Sequence, residues 1–199
     1  MRTIDLHIKN MVCQRCIWVV KKVLLSLGAY VCDIGLGYAK VEVPNNFSLK
    51  KVDEEFRQYG ISLIDHHEKV IVEKIKIAMI RYLSLLEADK MKLNLVEFIA
   101  KEVGKNGNYL SRIFSKHCHL TMENYFIMLK IEKVKELLDD GDLNLSQIAV
   151  TLKYSSVHYL SNQFKKVTGV TVSGYKSKNF SRIPIDQIKA DYDKEIILI

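Results

Sequence analysis

One segment of the sequence occurs twice, and this repeat constrains the fold more than any other feature. Both copies contain an Asn-Leu pair, then an Ile-Ala pair, then a Tyr-Leu-Ser run that ends in Phe. These begin at Asn94, Ile99 and Tyr109 in the first copy and at Asn144, Ile148 and Tyr159 in the second. A repeat of about fifty residues indicates duplicated supersecondary units that bury their apolar faces against one shared core.

The second copy has the pattern of two short helices joined by a tight turn. Ser155 or Ser156 can cap the second helix by accepting hydrogen bonds from unpaired backbone N–H groups. Val157, Leu160 and Phe164 then fall on one inward face. The opposite face is rich in hydrogen-bonding and basic side chains, which is typical of a helix-turn-helix. An ordinary helical hairpin packed on a core has a similar pattern.

The segment from about Glu68 to Lys176 resembles the DNA-binding domain of the AraC/XylS family of bacterial transcription regulators. The ending FKKVTGVT, at 164–171, is the most specific part of this resemblance. It implies an all-α domain over 68–176, with two helix-turn-helix units joined by a central helix over 122–139. It also implies sequence-specific binding of double-stranded DNA, and leaves open a homodimer and contact with RNA polymerase.

The resemblance also assigns DNA contacts to the second helix of each unit. Those expected to reach base edges in the major groove are Asn108, Ser111, Arg112, His158, Tyr159 and Asn162. Arginine suits the O6 and N7 atoms of guanine, and asparagine suits the N6 and N7 atoms of adenine. Those expected to contact phosphates are Lys116, Lys165 and Lys166. A solvated helix end is the alternative for Lys165 and Lys166.

The sequence departs from the family pattern at four places. Lys130 stands where an arginine is usual in the central helix, and Val172 replaces a proline. His119 replaces the glycine after the first recognition helix, and Lys153 replaces the glycine before the second. Two of the four departures thus fall at turns where a glycine is expected.

The first third of the chain has the element order β-α-β-β-α-β, which predicts a ferredoxin-like domain over 1–67. Strands are predicted over 3–9, 29–34, 38–43 and 61–64 by their alternation or apolar character. One helix ends at Gly28, and a second is capped by Ser48 and ends before Gly60. The predicted fold class is therefore α+β, a ferredoxin-like domain followed by an all-α domain.

Met11, Cys13 and Cys16 form an M-x-C-x-x-C motif between the first strand and the first helix. Two thiolates at a helix N-terminus can converge on one soft cation, Cu(I) or Zn(II), and the helix dipole and Arg15 both favour the thiolate form. With this motif, residues 2–66 resemble the heavy-metal-associated domain of copper chaperones and metal-transporting ATPases. The resemblance implies metal binding by both cysteines and a buried packing role for Met11. A dimerisation module whose thiols are merely tolerated is the alternative.

Other candidate ligands have simpler explanations. Cys32 and Cys118 are expected to be small buried hydrophobes, and His66-His67 to be solvated at a domain junction. His117 and His119 flank Cys118, but they fall where the family has a turn. Asn10 precedes Met11 where the heavy-metal-associated family usually has glycine.

Composition adds broad limits on the class of protein. The net charge of +7 is compatible with a nucleic-acid partner but is spread over both halves. No apolar run approaches the roughly twenty residues of a membrane helix, and the N-terminus does not have the pattern of a signal peptide, so a cytoplasmic protein is expected. The sequence contains no phosphate loop or nucleophile elbow, so an enzyme is not expected. The alternative function is a metal-carrying or thiol-redox protein that uses its helical domain for protein interaction. In the tail, 177–199, a short helix around Ile185 is predicted.

Overall fold

The computed structural model describes residues 1–177. Residues 178–199, with the short helix predicted around Ile185, lie outside the described part. The chain divides into two compact units, Met1–Ile77 and a second unit that begins at Ala78. The first contains a small antiparallel sheet. In the described residues of the second unit, helices are connected by turns and loops and no strand is present. No helix within residues 1–177 is long and apolar enough to cross a membrane.

The first unit has the expected order of strands and helices. Its elements are β1 (Arg2–Lys9), α1 (Gln14–Ser26), β2 (Tyr30–Gly35), β3 (Tyr38–Val43), α2 (Leu49–Arg57) and β4 (Ser62–Leu63). The strands form one sheet in the order β2-β3-β1-β4, with every neighbouring pair antiparallel. The last strand is shorter than the predicted 61–64.

The core of the first unit follows from the alternation along β1. Leu6 and Ile8 are buried together with Val20 and Leu24 of α1. Met11 has no exposed surface, which confirms its predicted packing role.

The prediction that Cys32 is buried is wrong, whereas the same prediction for Cys118 is confirmed. Cys32 lies in β2, an edge strand of the sheet, two residues from the exposed Tyr30. Its pairing with β3 is also irregular between Val31 and Asp33. Cys32 falls at this irregularity and has no register partner in β3.

A long helix, α3 (His67–Glu87), begins in the first unit, and six further helices follow it within residues 88–177. The six helices after α3 are α4 (Leu95–Val103), α5 (Gly107–Cys118), α6 (Met122–Asp140), α7 (Leu145–Thr151), α8 (Val157–Thr168) and α9 (Val172–Ser177). The central helix α6 packs against α5, α7 and α8. Its buried residues include Leu129, Ile131 and Val134, so it is covered on more than one side.

The repeat extends further than the sequence pattern indicates. Phe114 of α5 packs its ring against Tyr125 of α6, with ring centroids 5.5 Å apart. Phe164 of α8 packs in the same way against Tyr175 of α9, at 5.6 Å. Each repeat is therefore a three-helix unit, since the start of α6 corresponds to α9.

Two residues that stand in place of glycine adopt left-handed backbone conformations. His119, the C-cap of α5, and Lys153, after α7, both have φ of 53°. Glycine tolerates this region at low cost, whereas a side chain with a Cβ is strained there. The turns thus keep the geometry that a glycine would give, and the two helix ends carry the strain. Lys153 also forms an ion pair with Asp89, with Nζ 2.5 Å from Oδ1.

We expect His119→Gly to raise the free energy of unfolding by about 0.5–1 kcal/mol, because it removes a left-handed strain at an exposed position. Urea denaturation followed by circular dichroism measures this change. The matched control is Lys101→Gly in α4, an exposed helical position, where glycine should lower stability by a similar amount. Loss of stability in His119→Gly would contradict the assignment of strain.

Lys130 of α6 lies over an aromatic ring in a largely buried position. Its Nζ is 3.6 Å from the centroid of Tyr154. Burial lowers the pKa of Lys130 to about 8, because a desolvated ammonium group loses hydration. Burial also raises the pKa of the Tyr154 hydroxyl, with a smaller contribution from Tyr159. The ring face stabilises the cation and offsets part of its desolvation.

The lowered pKa of Lys130 predicts a pH-dependent stability. Between about pH 8 and pH 10.5 the folded protein binds fewer protons at this group than the unfolded chain, so stability rises with pH in that window. The difference in unfolding free energy between wild type and Lys130→Met should rise by about 1–3 kcal/mol across it. Urea denaturation at several pH values measures the difference. A constant difference would show that Lys130 is not desolvated.

Candidate nucleic-acid interface and dithiol site

Each helix-turn-helix is fixed by hydrogen bonds at the start of its helices. Asn94 before α4 and Asn144 before α7 each accept a bond from the backbone N–H three residues on, and their own N–H groups donate back to Glu97 and Gln147. These reciprocal pairs are capping boxes. The Ser156 hydroxyl caps α8 by accepting from the Tyr159 N–H at 3.0 Å.

Recognition helix α5 is held close to α4 at its first residue. A Cβ on Gly107 would lie 2.7 Å from Cγ1 of Val96, so a larger side chain would push the two helices apart. The Asn106 side chain accepts from the Asn108 N–H at 2.9 Å. The start of α5 is thereby fixed in both position and direction.

The predicted contacts of the first unit lie on the outer side of α5. Asn108, Arg112 and Lys116 are exposed and four residues apart, so they share one helix face. Ser111 is half-buried beside them. The Arg112 guanidinium lies 6.0 Å from the centroid of the Tyr109 ring, which supports its extended side chain.

The predicted contacts of the second unit lie along α8. The exposed ones are His158, Tyr159, Asn162, Lys165 and Lys166. The Tyr159 hydroxyl accepts a bond from the Gln163 side chain at 3.1 Å, and its ring lies 6.2 Å from that of Tyr154. Sequence reasoning missed this positioning role of Gln163, although its spacing of four residues from Tyr159 is the relevant signal.

The charge of the recognition helices is more one-sided than that of the whole chain. Neither α5 nor α8 contains an aspartate or a glutamate, whereas α4 and α6 both contain carboxylates. The last turns carry Lys116, His117, Lys165 and Lys166. Both helices therefore present donors and cations without acidic groups, as a polyanion requires.

The two thiols of the first unit lie together at the start of α1. Cys13 is the N-cap residue and Cys16 lies in the first turn, with their Sγ atoms 3.6 Å apart. The Cys16 Sγ also lies 3.8 Å from the carbonyl oxygen of Asn10. Both cysteines are half-buried and free.

The two thiols differ in acidity. Burial acts to raise the pKa of Cys13, but hydrogen bonds from Cys16 and Arg15 outweigh it, so this pKa lies below the ordinary value. Burial raises the pKa of Cys16, and the neighbouring Cys13 adds to the increase. The expectation that both thiolates are favoured is therefore wrong for Cys16, the more buried of the two.

No third ligand lies close to this pair within residues 1–177. That part of the chain contains no cluster of three or more His, Cys, Asp or Glu side chains suited to a metal ion. His66 and His67 therefore do not complete a site with the two cysteines, and His117 and His119 do not form one with Cys118.

Comparisons with known proteins address the helical part of the chain. Residues 99–178 match a family model described as a helix-turn-helix domain. The chain is 31% identical over 84 residues to the melibiose operon regulatory protein of Escherichia coli. The aligned segment covers 42% of this chain and 28% of that protein. It is 31% identical over 83 residues to the HTH-type transcriptional regulator YtdP of Bacillus subtilis, covering 42% of this chain and 11% of that protein.

Among solved structures, the chain is similar to the C-terminal domain of AraT, a response regulator from Geobacillus stearothermophilus. The identity is 26% and the TM-score 0.46, over 54% of this chain and 84% of that one. The chain spans 28% or less of the two curated relatives. The family model and the two curated relatives support a helix-turn-helix domain over residues 99–178, in a part of the chain that is similar to transcription regulators.

Proposed function

We propose that this protein is a sequence-specific transcription regulator that binds double-stranded DNA with α5 and α8. The observation that carries the proposal is the pair of repeated, capped helices without carboxylates, whose exposed faces carry hydrogen-bond donors and cations. A bacterial cytoplasmic location accords with this role, and a homodimer and contact with RNA polymerase are further proposals.

The proposed contacts divide into base reading and positioning. Arg112 donates to guanine and Asn162 pairs with adenine in the major groove, because these side chains match the edges of those bases. The other proposed base contacts are Asn108, Ser111, His158 and Tyr159. Lys116, Lys165 and Lys166 bind phosphates, which sets the position of the protein on DNA without reading sequence.

We also propose that the first unit is a ferredoxin-like domain of the heavy-metal-associated type that makes DNA binding responsive to a soft metal ion. The support is its element order, its four-stranded antiparallel sheet and its thiol pair. The Sγ atoms are 3.6 Å apart, within the span that two metal–sulfur bonds of about 2.3 Å can bridge. Two sulfur ligands suit Cu(I), whereas Zn(II) prefers four ligands and would have to recruit further ligands or a second protomer.

The alternative is a metal-carrying or thiol-redox protein that uses its helical domain for protein interaction. The 3.6 Å separation of the sulfurs favours it equally, because neighbouring thiols can also form a disulfide. Fluorescence anisotropy with duplex DNA separates the two functions, since only the transcription regulator binds DNA through α5 and α8.

Asn162→Ala and Lys165→Ala should weaken DNA binding in different ways. The Asn162 variant should lose about 1–3 kcal/mol at one or two base positions and relax the preference there. The Lys165 variant should weaken binding to every sequence and reduce the salt slope by about one unit. The operator is first selected from a random pool of DNA sequences. Anisotropy titrations then measure both effects on variants of this operator at several salt concentrations. Equal and sequence-independent losses would contradict the assignment of base reading to Asn162.

Replacing both Cys13 and Cys16 with serine should abolish Cu(I) binding, because the hydroxyl is a poor ligand for a soft ion. Apo DNA affinity should stay within about twofold, since the cysteines lie outside α5 and α8. Competition with a chromophoric Cu(I) chelator under reducing conditions measures metal binding.

The matched control for the double serine variant is Cys32→Ser, which alters an exposed thiol of the same unit and should leave Cu(I) affinity unchanged. Equal Cu(I) affinity in wild type and the double serine variant would refute the site.

A further inference from the structure

Asn10 connects the thiol pair to α3 through its backbone. Its N–H donates to Oε1 of Glu73 in α3 at 2.8 Å, and its carbonyl oxygen lies 3.8 Å from the Cys16 Sγ. Its side-chain amide donates to the carbonyl of Gly60 at 2.9 Å. Its φ of 67° lies in the left-handed region, where a non-glycine residue needs support from its surroundings. These contacts supply that support and fix both peptide groups of Asn10.

Glu73 is a buried carboxyl group that depends on this hydrogen bond. Its exposed fraction is 3%, and its Oε2 atom has no hydrogen-bond partner. Burial raises the pKa of Glu73, although Lys76, the Asn10 N–H and Lys9 act in the opposite direction. A buried carboxyl oxygen that loses its donor is strongly disfavoured. A shift of the Asn10 peptide must therefore displace Glu73 or leave it unsatisfied.

A second close contact attaches α3 to the same end of the sheet. A Cβ on Gly37 would lie 2.6 Å from Cδ1 of Ile77, so a larger side chain there would require the Ile77 side chain to shift. The Gly37 carbonyl accepts from the Ile8 N–H at 2.9 Å, two residues before Asn10. The segment that leads into the thiol pair thus contacts α3 directly at Glu73, whereas Ile77 lies next to Gly37, the hydrogen-bond partner of Ile8. Beyond Ile77, α3 continues along the chain into the unit that contains α5 and α8.

We propose that the Asn10–Glu73 hydrogen bond transmits occupancy of the Cys13/Cys16 pair to α3 and so changes the DNA affinity. The inference rests on the proposed metal-responsive function. Drawing Cys16 toward a metal ion alters its contact with the Asn10 carbonyl, and the same residue donates to Glu73 through its N–H. Glu73 is a positioning residue in this scheme and touches neither the metal ion nor DNA. Because coupling is reciprocal, DNA must change the Cu(I) affinity by the same factor as Cu(I) changes the DNA affinity.

The test compares Glu73→Met, which removes the acceptor at similar volume, with Glu73→Gln, which keeps it. Anisotropy gives the DNA affinity with and without Cu(I), and chelator competition gives the Cu(I) affinity with and without DNA. Wild type and Glu73→Gln should show a change of roughly 5–150-fold in both measurements. Glu73→Met should show a change below about twofold while still binding Cu(I) and DNA separately. Asn10→Gly keeps the N–H donor and should retain the wild-type coupling.

Amide hydrogen exchange of the wild type supplies a readout that does not depend on any variant folding. Cu(I) should change the exchange rate of the Asn10 amide and of amides in α3 around Glu73, whereas unchanged rates at both places would overturn the inference. Equal coupling in Glu73→Met and wild type would also overturn it, and would leave the metal-responsive function standing. Two results would overturn both the metal-responsive function and this inference: a wild-type protein that binds DNA but not Cu(I), and a wild-type DNA affinity that does not change when Cu(I) is added.

Discussion

The helical unit depends on the packing of short helices, with α4 against α5, and α5, α7 and α8 against α6. Helices α4 and α7 have nine and seven residues, and isolated helices shorter than about 12–15 residues are marginal in water. Capping boxes stabilise their first turns, but caps contribute only about 1 kcal/mol each. Packing must supply the rest, and Leu129, Ile131 and Val134 of α6 are fully buried for this reason. Recognition helices held in this way are rigid enough to present donors in fixed positions.

Most of the elements could be predicted because their signals are local in the sequence. Ser48 and Ser156, both predicted to cap a helix, cap α2 and α8. Gly28 and Gly60, predicted to end helices, lie in left-handed conformations next to the ends of α1 and α2. The periodicity of the apolar residues then separates strands from helices. The third helix of each repeat was not predicted, because α9 is short and the role of its Tyr175 is shown only by the ring contact with Phe164.

Features that depend on contacts distant in sequence could not be predicted. Cys32 is exposed at an irregularity in the pairing of β2 with β3, and the register between two strands is not encoded near either of them. Asn10 and Glu73 are 63 residues apart, and nothing near either one in the sequence indicates their hydrogen bond. The pKa shifts of Cys13 and Cys16 are opposite because burial dominates at Cys16 and hydrogen bonds from Cys16 and Arg15 outweigh it at Cys13, a difference that the C-x-x-C spacing does not encode. The individual DNA contacts stay predictions for a related reason, since they depend on a partner.

The basic residues and the asparagines of the recognition helices differ in what they reveal about function. Lys165 and Lys166 lie in the last turn of α8, where the helix dipole stabilises cations whether or not DNA is present. Their presence is thus explained by helix stability alone. Asn162 lies exposed in the middle of α8, where asparagine is less favourable than alanine by about 0.6 kcal/mol. Helix stability therefore does not explain Asn162, and base reading is the role proposed for it. Asn162 is thus the more diagnostic position for the proposed DNA binding.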